Sequence, residues 1–203
     1  MEKIEIRISG FGGQGVVLAG QILGKAAVYD GKNVVQTQSY GAEARGSMAK
    51  SEVIISEGKI GFPLVRRCDI LVAMNQEALE KNINDQREDG TLLVDSGTVK
   101  TIPKNKAKTF KVPATEIAEA SCGGKLYANM VMLGALIKIT KVVSKSSVEL
   151  AIKNSVAEKT AVANLQAFKK GEKSESSKVV SHNVARVLRY SRDSKNLPPS
   201  SVR

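Results

Sequence analysis

The fold is decided near the amino terminus, by the stretch Ile4-Glu5-Ile6-Arg7-Ile8-Ser9-Gly10-Phe11-Gly12-Gly13-Gln14-Gly15-Val16. Its first five residues alternate apolar and polar side chains, which is the period of a β-strand. An apolar segment rich in small residues continues from it to residue 28 and predicts a buried helix. Strand, glycine turn and helix together form a phosphate-binding unit, because the free N–H groups and the dipole of a helix N-terminus favour anions.

The glycine spacing has three interpretations. Gly10, Gly12 and Gly15 match the dinucleotide-binding pattern G-x-G-x-x-G, which alone is a weak signal. Dinucleotide folds also place a carboxylate after the second strand, where it holds the ribose. The second strand is predicted at 33–38 and leads into Gln38-Ser39-Tyr40, which contains no acid. The loop is therefore a nicotinamide or flavin site, a close helix–strand packing point, or a backbone cradle for another anionic group.

The rest of the chain alternates strands with helices. Strands are predicted at 48–55, 69–74, 90–96 and 109–113, and helices at 76–81, 115–120, 126–137, from 146 onward and at 156–168. This order predicts an α/β, three-layer Rossmann-like fold with a mainly parallel sheet and a helical C-terminal half. Gly171 is expected to end the last helix. We therefore expect a domain at 1–171 and a basic, partly disordered tail at 172–203.

One polar residue interrupts the most apolar predicted helix. Asn129 lies within an otherwise almost wholly apolar segment at 126–137. A buried amide needs hydrogen-bond partners. The backbone of a neighbouring loop would supply them, and so would a ligand.

Composition narrows the function classes. The formal net charge is +11, which is typical of nucleic-acid-binding proteins. Aromatic residues make up only 4 % and no nucleic-acid-binding motif is present, so an acidic partner or a phosphorylated cofactor explains the charge at least as well. No apolar run reaches the roughly 18 residues of a membrane span. The chain enters its first strand directly after residue 3, so we expect no secretory leader and a cytoplasmic location. Cys68, Cys122 and the single His182 cannot build an iron–sulfur cluster or a structural zinc site, and we expect buried, reduced cysteines.

A second motif makes a family resemblance specific. The loop after the second strand reads Gln38-Ser39-Tyr40-Gly41-Ala42-Glu43-Ala44-Arg45-Gly46. Paired with the glycine loop, it resembles the gamma subunit of 2-oxoacid:ferredoxin (acceptor) oxidoreductases, most closely the 2-oxoglutarate branch. Segments at 69–73, 94–96, 129–135 and 164–171 also resemble that family. The resemblance covers about residue 4 to residue 171.

The resemblance implies one subunit of a larger enzyme. That enzyme decarboxylates a 2-oxoacid on thiamine diphosphate, passes electrons through iron–sulfur clusters to ferredoxin and transfers the acyl group to coenzyme A. Thiamine diphosphate, Mg and the clusters are implied on partner subunits: alpha, beta and a ferredoxin-like delta. A homodimer contact is also open. The isolated chain is expected to carry no cofactor, no catalytic residue and no metal ligand, and to be inactive. A stand-alone nucleotide-binding dehydrogenase and a basic nucleic-acid-binding module are the alternatives.

The candidate cofactor-contacting residues lie on two loops and one helix. They are Gly12, Gly13, Gln14, Gly15, Ser39, Tyr40, Glu43, Arg45 and Asn129. The two loops should lie together, since parallel strands deliver their loops to one edge of a sheet. Glu43 and Arg45 either form structural ion pairs or face the active site of the complex. The glycine loop and the Gln14 amide either bind coenzyme A or dock another subunit.

Overall fold

The computed structural model describes residues 3–41 and 47–179. Over these residues the strands are β1 (Ile4–Phe11), β2 (Asn33–Tyr40), β3 (Met48–Ser56), β4 (Cys68–Ala73), β5 (Gln86–Asp95), β6 (Lys108–Val112) and β7 (Ser177–Val179). The helices are α1 (Val16–Tyr29), α2 (Gln76–Asn82), α3 (Ala114–Ser121), α4 (Ala128–Thr140), α5 (Lys145–Lys153) and α6 (Glu158–Lys173). Short 3₁₀ turns at Ile83–Asp85 and Lys125–Tyr127 precede β5 and α4.

All seven strands form one sheet in the order β2-β3-β1-β4-β5-β6-β7. β1, β4, β5 and β6 are parallel to one another and form its centre. β3 lies antiparallel between β1 and β2, and β7 pairs antiparallel with β6 at the other edge. The predicted α/β fold is confirmed. The sheet is parallel in its centre and mixed at its edges, because a hairpin connects β2 to β3 and inserts β3 beside β1.

The two faces of the sheet are covered unequally. Ile6 and Ile8 of β1 belong to an apolar core that also takes residues from α1, α3, α4, α5 and α6. The opposite face packs a smaller apolar cluster against α2, which contributes Ala78 and Leu79. Helices therefore lie on both faces, as the three-layer prediction requires, but five of the six described helices share one face.

Helices α4 and α6 approach each other through glycine. A Cβ on Gly171 would overlap the carbonyl oxygen of Val131, and a Cβ on Gly134 would overlap that of Phe168. Gly171 is thus a packing residue rather than the end of the helix, and α6 continues to Lys173. Because β7 then pairs with β6, residues 172–179 join the folded unit beyond the boundary predicted at 171. The remainder of the predicted tail, 180–203, lies outside the described residues.

No helix in the described ranges 3–41 and 47–179 is long and apolar enough to cross a membrane.

Candidate functional site

The glycine loop, residues 12–15, lies where the order of the strands changes direction. From β1 the chain moves to one side of the sheet through β2, whereas β4 and later strands lie on the other side. In α/β sheets such a point leaves a crevice at the carboxyl ends of the strands, where ligands bind. Gly13 and Gly15 have φ values of 93° and 71°, and side chains rarely adopt this left-handed region. The glycines are therefore needed for the path of the loop itself.

The side chain of Gln14 ties the loop to the neighbouring strand. Its Oε1 atom accepts hydrogen bonds from the Phe11 N–H and from Asn75 Nδ2, both at 2.7 Å. Its Nε2 atom donates to the carbonyl oxygen of Met74 at 3.1 Å. Since an amide nitrogen carries two hydrogens, one N–H of Gln14 has no partner among the described residues and could be donated to a ligand. Gln14 was predicted as a ligand donor, and most of its hydrogen-bonding capacity is used within the chain.

Asn75 caps the start of α2. Its Oδ1 accepts the Ala78 N–H at 2.8 Å at the start of α2. Its second contact, with Gln14, was missed because the two residues are 61 positions apart. The side chain therefore connects the glycine loop to α2.

Asn129 holds the same loop from the other side. It is 4 % exposed, and its Nδ2 donates to the Gly15 carbonyl oxygen at 3.1 Å. Its Oδ1 accepts the N–H of Met130 at 2.9 Å. A Cβ on Gly15 would overlap the Asn129 amide nitrogen. Of the two expected partners for this buried amide, the structure provides the loop backbone, and α4 is thereby fixed against the loop.

The start of α1 is open. Its N-cap, Gly15, has no side chain to cap the helix, and the first turn contains no acidic residue. Within the described residues, the backbone N–H groups of Gly15, Val16 and Val17 donate no hydrogen bond. Gly12 and Gly13 are exposed beside them. Unpaired N–H groups with the positive end of a helix dipole form a site that suits an anion.

The second motif borders the glycine loop, as predicted. The Gly12 N–H donates to the Ser47 carbonyl oxygen at 2.8 Å, and the Gly41 N–H donates to that of Met48 at 2.7 Å. Both ends of the loop between β2 and β3 therefore lie at the edge that holds the glycine loop. Ser39 and Tyr40 are exposed there, Tyr40 by 60 %. Glu43 and Arg45 lie outside the described residues.

Asp95, at the carboxyl end of β5, was not predicted as a site residue. It is fully buried, and its carboxylate accepts hydrogen bonds from the N–H and hydroxyl of Thr115 and from the Gly97 N–H. These contacts stabilise the start of α3 and the turn after β5. The residue has a structural role, which an aspartate at the end of a buried strand could have indicated.

The two cysteines are free and buried, as predicted. Burial raises the pKa of the Cys68 thiol to about 11, although the nearby Arg7 charge acts to lower it. Among the described residues, no three His, Cys, Asp or Glu side chains come together as a possible metal site.

The fold and the loop define an α/β protein with an open, glycine-lined helix N-terminus at the switch point of its sheet. The chain belongs to the pyruvate ferredoxin/flavodoxin oxidoreductase family, whose profile matches residues 5–174. The gamma-subunit resemblance of the two sequence motifs is thereby confirmed.

Three individual proteins show how similar the chain is to particular members of this family and fold. The chain is 52 % identical over 170 residues to 2-oxoglutarate synthase subunit KorC of Methanocaldococcus jannaschii, covering 82 % of this chain and 91 % of that one. This chain is 45 % identical in sequence to the keto/oxoacid ferredoxin oxidoreductase gamma subunit from Geobacter sulfurreducens. The crystal structure of that subunit matches the fold with a TM-score of 0.75 over 84 % of this chain and 96 % of that chain. A 2-oxoglutarate:ferredoxin oxidoreductase from Magnetococcus marinus, with 2-oxoglutarate, coenzyme A and succinyl-CoA bound, has a TM-score of 0.77 over 85 % of this chain and 31 % of its own. At 24 % identity, that likeness shows the fold alone.

Proposed function

We propose that this chain is the gamma subunit of a 2-oxoglutarate:ferredoxin oxidoreductase and that its glycine loop contacts coenzyme A in the assembled enzyme. The complex would convert 2-oxoglutarate and coenzyme A to succinyl-CoA and CO₂ and pass two electrons to ferredoxin. The observation that carries the assignment is the 52 % identity to a 2-oxoglutarate synthase subunit across most of both chains. Thiamine diphosphate, Mg and the iron–sulfur clusters would reside on the alpha, beta and delta partners.

The open start of α1 supports the coenzyme A contact. Coenzyme A carries a pyrophosphate and a further phosphate, and the N–H groups of Gly15, Val16 and Val17 are unpaired within the described residues. Gln14 and Asn129 act as positioning residues, because their amides donate to the carbonyl oxygens of Met74 and Gly15 and so hold the loop in place. The remaining Gln14 N–H would add one side-chain donor.

The two alternatives have less support. A dinucleotide-dependent dehydrogenase needs a ribose-binding carboxylate, and β2 leads into Ser39 and Tyr40 without one. A nucleic-acid-binding module is suggested by net charge alone. Family membership favours the oxidoreductase complex over both.

The coenzyme A contact is tested by Gly12→Asp, with Gly12→Asn as the matched neutral control. Among the described residues, a Cβ at Gly12 meets only the Ser47 carbonyl oxygen, at an ordinary 3.5 Å, and Gly12 is not among the glycines with positive φ. In the reconstituted complex, the added carboxylate should raise the KM for coenzyme A about tenfold over the Asn variant, equivalent to about 1.4 kcal/mol. The KM for 2-oxoglutarate should change much less.

Equal coenzyme A kinetics in the two variants, with weaker subunit assembly in both, would support the docking interpretation instead. Gln14→Ala is a poorer test because it also removes the bonds that hold the loop. Turnover of 2-oxoglutarate against pyruvate and 2-oxoisovalerate in the same complex tests the substrate. The isolated chain should be colourless and inactive, and a stoichiometric visible absorption would contradict the subunit assignment.

A further inference from the structure

A second polar pocket lies at the opposite edge of the sheet from the glycine loop. It has a volume of about 410 Å³, and we call it the amino-edge pocket. It forms where β5 begins, between that strand and the segment that precedes β6. Its lining includes Arg67, Gln86, Arg87, Pro103, Lys104 and Lys106. The glycine loop does not contribute to it.

Gln86 is the first residue of β5 and has an unsatisfied side chain. It is 5 % exposed, and neither its Nε2 nor its Oε1 has a hydrogen-bond partner in the part of the chain that the structure describes. Leaving a buried donor or acceptor unpaired is costly, and an amide leaves both. The Gln86 backbone, by contrast, is engaged, since its carbonyl oxygen accepts from Arg67 at 3.4 Å. A side chain kept at this cost indicates a partner outside the residues that the structure describes.

The rim of the amino-edge pocket carries unpaired positive charge. Two of its cations are paired: Arg87 Nε lies 3.2 Å from Asp69 Oδ1, and Lys106 Nζ lies 2.7 Å from Glu88 Oε2. Arg67 and Lys104, which are both exposed, have no carboxylate partner among the described residues. A ligand with negative charge would therefore meet two cations at the mouth of the pocket that form no salt bridge among the described residues, although Arg67 donates to the Gln86 carbonyl oxygen and its charge also acts on Glu88.

We propose that the amino-edge pocket receives an extended acidic segment of a partner subunit. The Gln86 amide needs a donor and an acceptor side by side, and a peptide group offers that pair. Phosphate offers mainly acceptors and would leave Gln86 Oε1 unpaired. Asp or Glu side chains on either side of that peptide group would pair with Arg67 and Lys104. The inference rests on the proposed function only in that it requires partner subunits.

Zero-length carbodiimide cross-linking of the assembled complex tests this directly, because it joins a lysine to a carboxylate in contact with it. Mass spectrometry should find Lys104 or Lys106 linked to an Asp or Glu of a partner subunit. Hydrogen exchange at residues 84–88 and 103–107 should also slow when the isolated chain assembles.

Two sets of variants add a quantitative test. Arg67→Glu combined with Lys104→Glu should reduce the co-purified partner subunits about tenfold, equivalent to about 1.4 kcal/mol. The control pair Lys153→Glu and Lys159→Glu makes the same charge change at other exposed lysines and should stay within twofold. Gln86→Met should weaken assembly while raising the Tm of the isolated chain by about 2–4 °C, since it removes the unpaired amide.

The proposal is overturned if neither lysine cross-links, exchange is unchanged on assembly and the double reversal assembles normally. It is also overturned if inorganic phosphate alone protects residues 84–88 of the isolated chain, which would assign the pocket to a small anion. In either case the complex would still oxidise 2-oxoglutarate if the proposed function holds. Failure of the docking site is therefore distinguishable from failure of the assignment.

Discussion

The two faces of β1 show two ways of burying one strand. Ile6, on one face, is fully buried against the helices of the larger core. Arg7, on the other face, is only 3 % exposed although it carries a charge. The first face is stabilised by close packing of apolar groups, and the second by hydrogen bonds that must all be present. The faces should therefore respond differently to mutation.

The polar face is organised by Arg7. Its Nε donates to Glu52 at 2.8 Å, and its two terminal nitrogens reach Asp85 at 2.5 Å and the Val65 carbonyl oxygen at 3.1 Å. Burial acts to lower the pKa of Arg7, but the hydrogen bond to Asp85 and the charge of Glu52 outweigh it, so the pKa is raised. The guanidinium therefore stays charged and links β1 to β3, to the segment before β4 and to the turn before β5.

The largest expected effect is on the apolar side. Gly171→Val should reduce the free energy of unfolding by about 4 kcal/mol or more, because the new side chain would have to displace the α4 backbone at Val131. Gly61→Val is the control, since no atom of residues 3–41 or 47–179 lies within 4 Å of a Cβ at that position. Urea unfolding of both variants measures the difference. A Gly171 variant as stable as the control would show that α4 and α6 are not packed through this glycine.

A smaller loss is expected on the polar side. Arg7→Met should cost about 3 kcal/mol, because it leaves the Glu52 carboxylate buried without its main partner. The double variant Arg7→Met/Glu52→Met should recover part of that loss, since two apolar side chains can replace a buried ion pair. Denaturant unfolding of the two single variants and the double variant gives the coupling energy. Strictly additive losses would contradict the view that the polar face depends on paired groups.

The difference between the two faces of β1 also explains which structural features could be predicted from the sequence. The alternation in Ile4–Ile8 correctly indicated a strand, and the glycine turn with its apolar helix indicated a crossover. Alternation usually means that the polar face meets solvent, so the burial of Arg7 was not foreseen. Its partners Glu52 and Asp85 are 45 and 78 positions away, and local pattern carries no information about them.

For the candidate site, the position in the fold could be predicted from the sequence, whereas the contacts between its residues could not. The motifs located the edge of the sheet correctly, because loop position follows from strand direction. The insertion of β3 between β1 and β2 was not foreseen, since a pattern identifies strands but not their order. The prediction that Gly171 ends a helix was wrong, because a glycine can also allow two helices to pack closely. Only the position of the neighbouring helix distinguishes these two roles. The hydrogen bonds of Gln14 likewise depend on Met74 and Asn75, which are distant in sequence.

The smallest expected effect on stability concerns the charge of Asp30, the residue that caps the end of α1 at the edge of the larger apolar core. Its carboxylate accepts the Ser144 N–H at 2.6 Å and the Ser147 hydroxyl at 2.5 Å, at the start of α5. Partial burial acts to raise the pKa of Asp30, but the hydrogen bonds from Ser147 and Ser144 outweigh it, so the pKa is lowered. A carboxyl group whose pKa is lower when folded stabilises the fold above its unfolded pKa of about 3.9, and this contribution is lost as the pH falls through the folded value.

Asp30→Asn should therefore cost about 1 kcal/mol at pH 7, because the amide keeps only one of the two oxygens that accept from Ser144 and Ser147, which is about the loss of one hydrogen bond. The difference from the unsubstituted chain should begin to shrink below the unfolded pKa of about 3.9, because the unfolded chain takes up a proton at Asp30 before the folded chain does. Urea unfolding at pH 7, 5 and 3.5 measures this trend. Asp89→Asn is the control, because Asp89 is exposed and has no hydrogen bond or ion pair within residues 3–41 and 47–179. A difference that stays constant across this pH range would mean that Asp30 acts through its shape rather than its charge. Stability at the Asp30 edge of the larger core would then depend on side-chain shape, as it does in the core interior, and only the Arg7 face of β1 would depend on charge.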